Sequence, residues 1–173
     1  MAKIFKSELK TALQAASKDQ TRYAMDSVRI EKETIVATDG RALIVLDRIS
    51  PDETKEDQDF EEIMIGYKDC KKILKACPGG KRDCEILITK EADSYNTYKV
   101  ECNGVTLSFK TKEGHFPPYT HVIPKEAPSF HIGLGVELLE SLLAAARFYG
   151  VPTLRFDFTH NTRAVKILGR GNE

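Results

Sequence analysis

One plan occurs three times along the 173 residues: a short strand, an amphipathic helix, then strands joined by tight turns. The first copy opens with Lys3-Ile4-Phe5, and Ser7 is expected to cap a helix. Leu9, Ala12, Leu13 and Ala16, at i, i+3, i+4 and i+7, give that helix one apolar face. Val28 and Ile30, then Ile35 and Ala37, alternate as strands, and Asp39-Gly40 turns into a third strand over 42–46. The second copy opens with Ile63-Met64-Ile65, continues through a lysine-rich helix and Ile86-Leu87-Ile88, and reaches a strand over 98–102. Its Asn103-Gly104 is a strong hairpin signal before the alternating stretch 105–109. The third opens with Phe130-His131-Ile132, has a helix marked by Leu138, Leu139, Leu142, Leu143 and Ala146, and carries Gly150 at its C′ position. Strands over 154–158 and 164–168 follow.

The copies begin 60 and 67 residues apart, at Lys3, Ile63 and Phe130, a period longer than that of solenoids. Each has a helix with one apolar face and strands that need cover on one side. Two such units packed together predict an α+β domain of antiparallel sheets with helices on one face. The expected organisation is therefore a domain over 1–125, made of repeats 1–48 and 62–125 joined by 49–61. Residues 126–173 form a third, incomplete half-domain.

The joining segment and the first residue after it read ISPDETKEDQDFEE, residues 49–62, and hold seven acids against one lysine. It is expected to be a solvated spacer, or an acidic flap that competes with a polyanion for a basic surface. The formal charge of the whole chain is zero, so the remainder, with 25 basic and 19 acidic residues, carries +6. The densest basic stretch is 66–82, GYKDCKKILKACPGGKR. Tyr67, Cys70, Ile73, Leu74 and Cys77 recur at helical spacing as a buried stripe, which leaves Lys68, Lys71, Lys72 and Lys75 on the opposite face. That face is either an ordinary solvated surface or a contact for phosphates.

No apolar run approaches the roughly 20 residues of a membrane helix, and Met1-Ala2-Lys3 does not open a signal peptide. The four cysteines, at 70, 77, 84 and 102, form no CxxC pair, so neither a disulfide framework nor a zinc site is expected, and a reducing, cytoplasmic setting fits. Cys70 and Cys77 are read as small core hydrophobes. His115, His121, His131 and His160 have no ligand partners at metal-binding spacing, and the chain has no P-loop, GxGxxG or GxSxG. Asp39 in ATDG is better explained as a turn residue than as a catalytic carboxylate. No catalytic residue, metal or cofactor is expected.

Residues 22–48, RYAMDSVRIEKETIVATDGRALIVLDR, resemble the central domain of the bacterial DNA sliding clamp family, the β subunit of DNA polymerase III. There an RY-x-L/M stretch precedes strands and an ATDG-x-x-L turn. Residues 113–124, EGHFPPYTHVIP, resemble the segment DG-x-FP-x-Y-x-x-V-x-P that closes that domain, and 133–168 are more weakly similar to the last half-domain. The resemblance implies a clamp-type (processivity) fold of strand–helix–strands repeats. In the family, twelve such repeats form a ring around duplex DNA that reads no sequence. It also implies an apolar pocket that captures short peptides from DNA polymerase and other partners. The matching positions are Met25, Thr38, Gly40, Arg41 and Leu43 on one wall and Pro117 and Val122 on the other, with Leu43 and Val122 also readable as plain core. The resemblance marks Arg22 and Tyr23 as facing DNA; Lys68, Lys71, Lys72, Lys75, Lys81 and Arg82 join them by the geometry of the basic stretch. The family's His-Arg pair after ATDG is Arg41-Ala42 here, and its Pro-Met-Arg-like tail has no counterpart in the final Leu168-Gly169-Arg170-Gly171-Asn172-Glu173.

The expected function is that of a non-catalytic, sliding-clamp-like protein, a homo-oligomer that binds duplex DNA without sequence preference and serves as a processivity factor. The alternative is a clamp-fold interaction module that keeps the peptide cleft without encircling DNA. No membrane partner is expected.

Overall fold

The structure, a computed structural model, describes residues 1–22, 24–49, 62–77, 83–92, 94–127, 132–158 and 165–170. It divides into two compact units, Met1–Ile123 and Pro124–Glu173.

In the first unit the chain runs β1 (Ala2–Phe5), α1 (Lys6–Ala12), β2 (Ser27–Ile30), β3 (Thr34–Thr38) and β4 (Leu43–Asp47). The plan then repeats as β5 (Ile63–Gly66), α2 (Tyr67–Ala76), β6 (Glu85–Lys90), β7 (Thr97–Cys102) and β8 (Val105–Lys110). These strands build two four-stranded antiparallel sheets, ordered β1-β6-β7-β8 and β4-β3-β2-β5. The two repeats thus exchange their opening strands: β1 pairs with β6 of the second repeat, and β5 pairs with β2 of the first. The two strand-to-helix junctions are anchored alike. The amide of Lys6 donates to the Cys84 carbonyl at 2.8 Å, and that of Tyr67 to the Asp26 carbonyl at 2.7 Å. In each case the first amide of a helix, which has no partner within the helix, is satisfied by the residue leading into the neighbouring strand.

Alternation decides which side chains go inward. Ala2 and Ile4, Val28 and Ile30, Ile63 and Ile65, Ile86 and Ile88, and Val100 are all buried, and they meet Leu9, Ala12, Cys70 and Ile73 from the two helices in one core. Each fully buried Ile contributes on the order of 1.5–3 kcal/mol relative to exposure. The Asn103-Gly104 turn between β7 and β8 has both residues at positive φ, 46° and 80°, as a type I′ hairpin requires.

Three expectations are corrected. Ser7 is not the N-cap of α1; it lies in the first turn, where its amide donates to Asp83 Oδ1 at 3.1 Å. The Phe5 amide donates to the Glu8 carboxylate at 2.6 Å, so a side chain from within the helix reaches back to its start. The helix itself ends at Ala12, and Leu13, Ala15 and Ala16 continue the buried stripe in turns. Finally, Cys84 and Cys102 are joined as a disulfide although their chain spacing matches no motif. Continuing the β6–β7 register by one step sets Cys102 beside Ile86, with Cys84 on the same face one diagonal away.

The second unit holds α3 (Val136–Phe148) and the antiparallel pair β9 (Thr153–Asp157) and β10 (Lys166–Arg170). Gly150 sits after α3 at φ +65° and donates to the Arg147 carbonyl at 3.1 Å, as its C′ role requires. No described residue of this unit is buried, and Val136, Leu138, Phe148 and Tyr149 are more than half exposed. The expected opening strand of the third repeat falls outside the described residues except for Ile132, which joins no strand. Most of the acidic segment, residues 50–61, and His131 and His160 also lie outside them.

Candidate functional site

The ATDG turn is built by its own side chains. Asp39 Oδ1 accepts from the amides of Arg41 and Ala42, both at 2.8 Å, which closes an Asx-type turn between β3 and β4. These bonds, led by the one from Ala42, hold the Asp39 carboxyl below the ordinary carboxylate range. Thr38 Oγ1 donates to the Ala42 carbonyl at 2.7 Å and accepts from the Gly40 amide at 3.1 Å. Gly40 adopts φ +83°, a left-handed conformation that the turn demands. Arg22 reaches across from the preceding loop and donates to the Asp39 carbonyl at 2.7 Å.

Opposite this turn lies the segment after β8. Phe116 is buried against Ala24, Val36 and Met64, and Leu43 and Tyr119 pack on that cluster. Tyr119 meets the Phe116 ring edge-on at 6.4 Å between centroids and donates its hydroxyl to Glu31 at 2.9 Å. Arg29 stands over the Phe116 ring at 5.7 Å and pairs with Glu31 at 3.0 Å. Burial is the main cause that pushes the Tyr119 hydroxyl above its usual range, which keeps it a neutral donor. Phe116 and Tyr119 therefore pin the Pro117-Pro118 corner and the short 3-10 turn Tyr119–His121 beside β4.

Between these two walls is a cleft of about 460 Å³ lined by Met25, Thr38, Gly40, Arg41, Ala42, Leu43, Pro117, Pro118, Tyr119, His121 and Val122. All seven residues singled out from the sequence for the partner pocket are in this lining. Sequence reasoning missed Ala42, Pro118, Tyr119 and His121. Ala42 and Pro118 are chain neighbours of residues in the matching motifs, and a ring beside a Pro-Pro corner is the signal that marks Tyr119. Leu43 is half-buried and Val122 is 71% exposed, so Val122 is no core residue. A lining of exposed Val122, half-buried Leu43 and two prolines, with one phenol and one guanidinium, suits a short apolar segment with a polar backbone.

The expected nucleic-acid contacts are placed as follows. Lys68, Lys71, Lys72 and Lys75 are all exposed on α2, opposite buried Cys70 and Ile73. Lys72 pairs with Asp69 at 2.8 Å, and the Lys71 ammonium lies 5.1 Å from the centroid of the Tyr67 ring. Arg22 is exposed but already tied to the ATDG turn, next to the cleft rather than on the lysine face. Tyr23, Lys81 and Arg82 lie outside the described residues.

The doubled strand–helix–strands unit and the cleft beside the ATDG turn define a protein of the clamp type. No protein-family model matches the chain. Over 129 residues, 69% of its length, it is 32% identical to the beta sliding clamp of Chlamydia pneumoniae, and the match covers 32% of that protein. The DNA polymerase sliding clamp of Bacillus subtilis superposes on 95% of the chain with a TM-score of 0.69 at 18% identity, over 44% of its own length. The DNA polymerase III beta chain of Streptococcus pneumoniae does so on 96% with a TM-score of 0.68 at 16% identity, again over 44% of its length. A Pseudomonas aeruginosa DnaN clamp bound to griselimycin superposes on 97% with a TM-score of 0.64 at 18% identity, over 49% of its length. The chain is a divergent relative of the bacterial β sliding clamps and spans about a third of the length of the curated relative it matches.

Proposed function

We propose that the chain is a non-catalytic clamp-type accessory protein that captures partner peptides, such as those of a DNA polymerase, in the cleft between Leu43 and Val122. It rests on duplex DNA through phosphate contacts that carry no sequence information, and it self-associates through its third repeat. The observation that carries this reading is the convergence of Met25, Thr38, Gly40, Arg41, Leu43, Pro117 and Val122 on one cleft. These residues come from two clamp-like segments some seventy positions apart, which the packing of Phe116 and Tyr119 holds side by side.

Anchoring follows from the lining. An aliphatic or aromatic side chain entering between Leu43, Val122 and Pro117 loses water on both faces, while the Arg41 guanidinium at the rim suits a carboxylate or carbonyl of the incoming segment. The second reading, an interaction module that keeps the cleft without encircling DNA, is favoured by Arg22, whose side chain is committed to the Asp39 carbonyl.

Binding of a fluorescent clamp-binding peptide, followed by anisotropy, tests the cleft. Val122→Asp, at an exposed position, is expected to leave the fold intact and weaken binding by tenfold or more, the loss of an interface anchor worth roughly 1–2 kcal/mol. Unchanged affinity in a folded Val122→Asp, Leu43→Asp double variant would remove the cleft from the proposed function.

A further inference from the structure

Three of the four cysteines converge where α2 ends against the first sheet. Cys77 follows the last turn of α2, its amide donating to the Ile73 carbonyl at 2.9 Å. Cys84 leads into β6, its amide on Asp83 Oδ1 at 3.0 Å, and Cys102 ends β7 in register with Val105. Their Sγ atoms all lie within 4.8 Å of one another, and all three residues are buried. The clamp reading uses none of them.

We propose that Cys77, Cys84 and Cys102, in their reduced state, bind a soft divalent cation, zinc above all, as three thiolates with a fourth position left for an added ligand. Tetrahedral zinc with thiolates at about 2.3 Å sets its sulfurs roughly 3.8 Å apart, within the spread found here. Soft sulfur donors select zinc or Cu(I) over magnesium or calcium. The Cα atoms of Cys84 and Cys102 are 7.0 Å apart, the span of a diagonal cross-strand pair and the upper margin of what a disulfide bridges. A metal between the sulfurs suits that span at least as well. Cys77 packs in the core, and its sulfur is the third that stands beside the other two once the disulfide is reduced.

Burial pushes the Cys77 thiol above its ordinary range, an effect opposed by the Lys6 ammonium, which donates to the Cys77 carbonyl at 2.7 Å. Among the described residues no histidine or carboxylate joins the cluster. The Asp83 carboxylate is occupied by the Ser7 amide and hydroxyl and by the Cys84 amide, so it does not supply the fourth donor.

Loading proceeds from the disulfide form by balanced steps. A dithiol reductant transfers two electrons and two protons to the Cys84–Cys102 bond and leaves as its own cyclic disulfide. Zinc then displaces one proton from each of the three thiols. Oxidation by the reverse route removes two donors and releases the cation, so the disulfide and the metal exclude each other.

The test uses the full chain, reduced with a dithiol, freed of reductant without oxygen, and titrated with zinc against a chromogenic chelator. One equivalent is expected to bind, and the oxidised chain is expected to take up none at the same zinc concentration. Cys77→Ser is expected to weaken binding on the order of 100-fold, as removal of one of three thiolates from a site of structural-zinc strength would. Should that variant misfold, mass spectrometry of alkylated wild-type chain decides: zinc protects Cys77, Cys84 and Cys102 together and leaves the Cys70 rate unchanged. Absence of stoichiometric uptake by the reduced chain overturns the proposal. So does equal uptake by the oxidised chain, wild-type affinity in a folded Cys77→Ser, or alkylation unaffected by zinc.

Discussion

Asp39 and Gly40 do different work in adjacent positions. An added Cβ at Gly40 would come no closer than 3.7 Å to Met25 Sδ, ordinary van der Waals separation, so space is not what excludes a side chain there. The φ of +83° is. Gly40→Ala is therefore expected to cost about 1–2 kcal/mol, the penalty of the left-handed conformation, and to reduce peptide affinity as the turn opens. Asp39 adds a pH dependence. Its carboxyl is held low by the Ala42 and Arg41 amides, so its contribution to stability is present above the unfolded value, near 3.8, and is lost as pH falls through the lower folded value. Urea unfolding of wild type and Asp39→Ala should show a gap at neutral pH that closes in acid. A gap that persists below the folded value would mean that the carboxylate is not what stabilises the turn. Cys70 is the contrasting case: its thiol donates to the Ile65 carbonyl at 3.3 Å and burial pushes its pKa well up, which makes it an inert core residue, as its helical spacing predicts.

At the scale of elements, α2 carries the proposed DNA-binding face. Cys70 and Ile73 are its buried line, Lys68, Lys71, Lys72 and Lys75 its exposed face, and Tyr67, Asp69, Leu74 and Ala76 are half-buried between them. Lys68 and Lys75 make no ion pair among the described residues, whereas Lys72 already neutralises Asp69. Binding of duplex DNA measured across a salt series should have a slope reduced by about 0.9 for each phosphate that is no longer neutralised. Replacing Lys68 and Lys75 with Ala is thus expected to lower the slope by nearly two, and replacing Lys72 to lower it less. An unchanged slope in the four-lysine variant would reduce this helix to a solvated face. The helix periodicity and the alternation of β2, β3, β6 and β7 were legible because each encodes a local burial direction. The cap of α1 was not, because the groups that satisfy its first turn are Glu8, from inside the helix, and Asp83, 76 residues beyond Ser7.

For the whole molecule, the two units differ in how well they cover themselves. Met1–Ile123 buries a continuous core, whereas in Pro124–Glu173 only half-buried positions such as Leu139, Leu142 and Ala146 line α3, with Phe148 84% and Tyr149 78% exposed. Apolar surface of that kind favours association. Sedimentation velocity at micromolar concentration is expected to report an oligomer, and Leu138→Glu with Phe148→Glu to shift it toward monomer with the first unit still folded. A wild-type chain that stays monomeric would count against self-association through the third repeat.

The sequence alone determined the strands and helices of the two repeats in the first unit, apart from where α1 ends, because spacing within a few residues encodes them. Seven of the side chains beside the ATDG turn were legible only through the family resemblance of two short motifs. Only the tertiary structure decided that the repeats exchange their opening strands, that Tyr119 and Pro118 complete the cleft, and that Cys77, Cys84 and Cys102 share one corner. The strand exchange depends on which edge amides and carbonyls find each other across 33 to 39 residues for β2–β5 and 80 to 86 for β1–β6, and the cleft and the cysteine corner follow from how those strands then pack. Alternation says which face of a strand is buried; it carries no information about the partner strand that buries it.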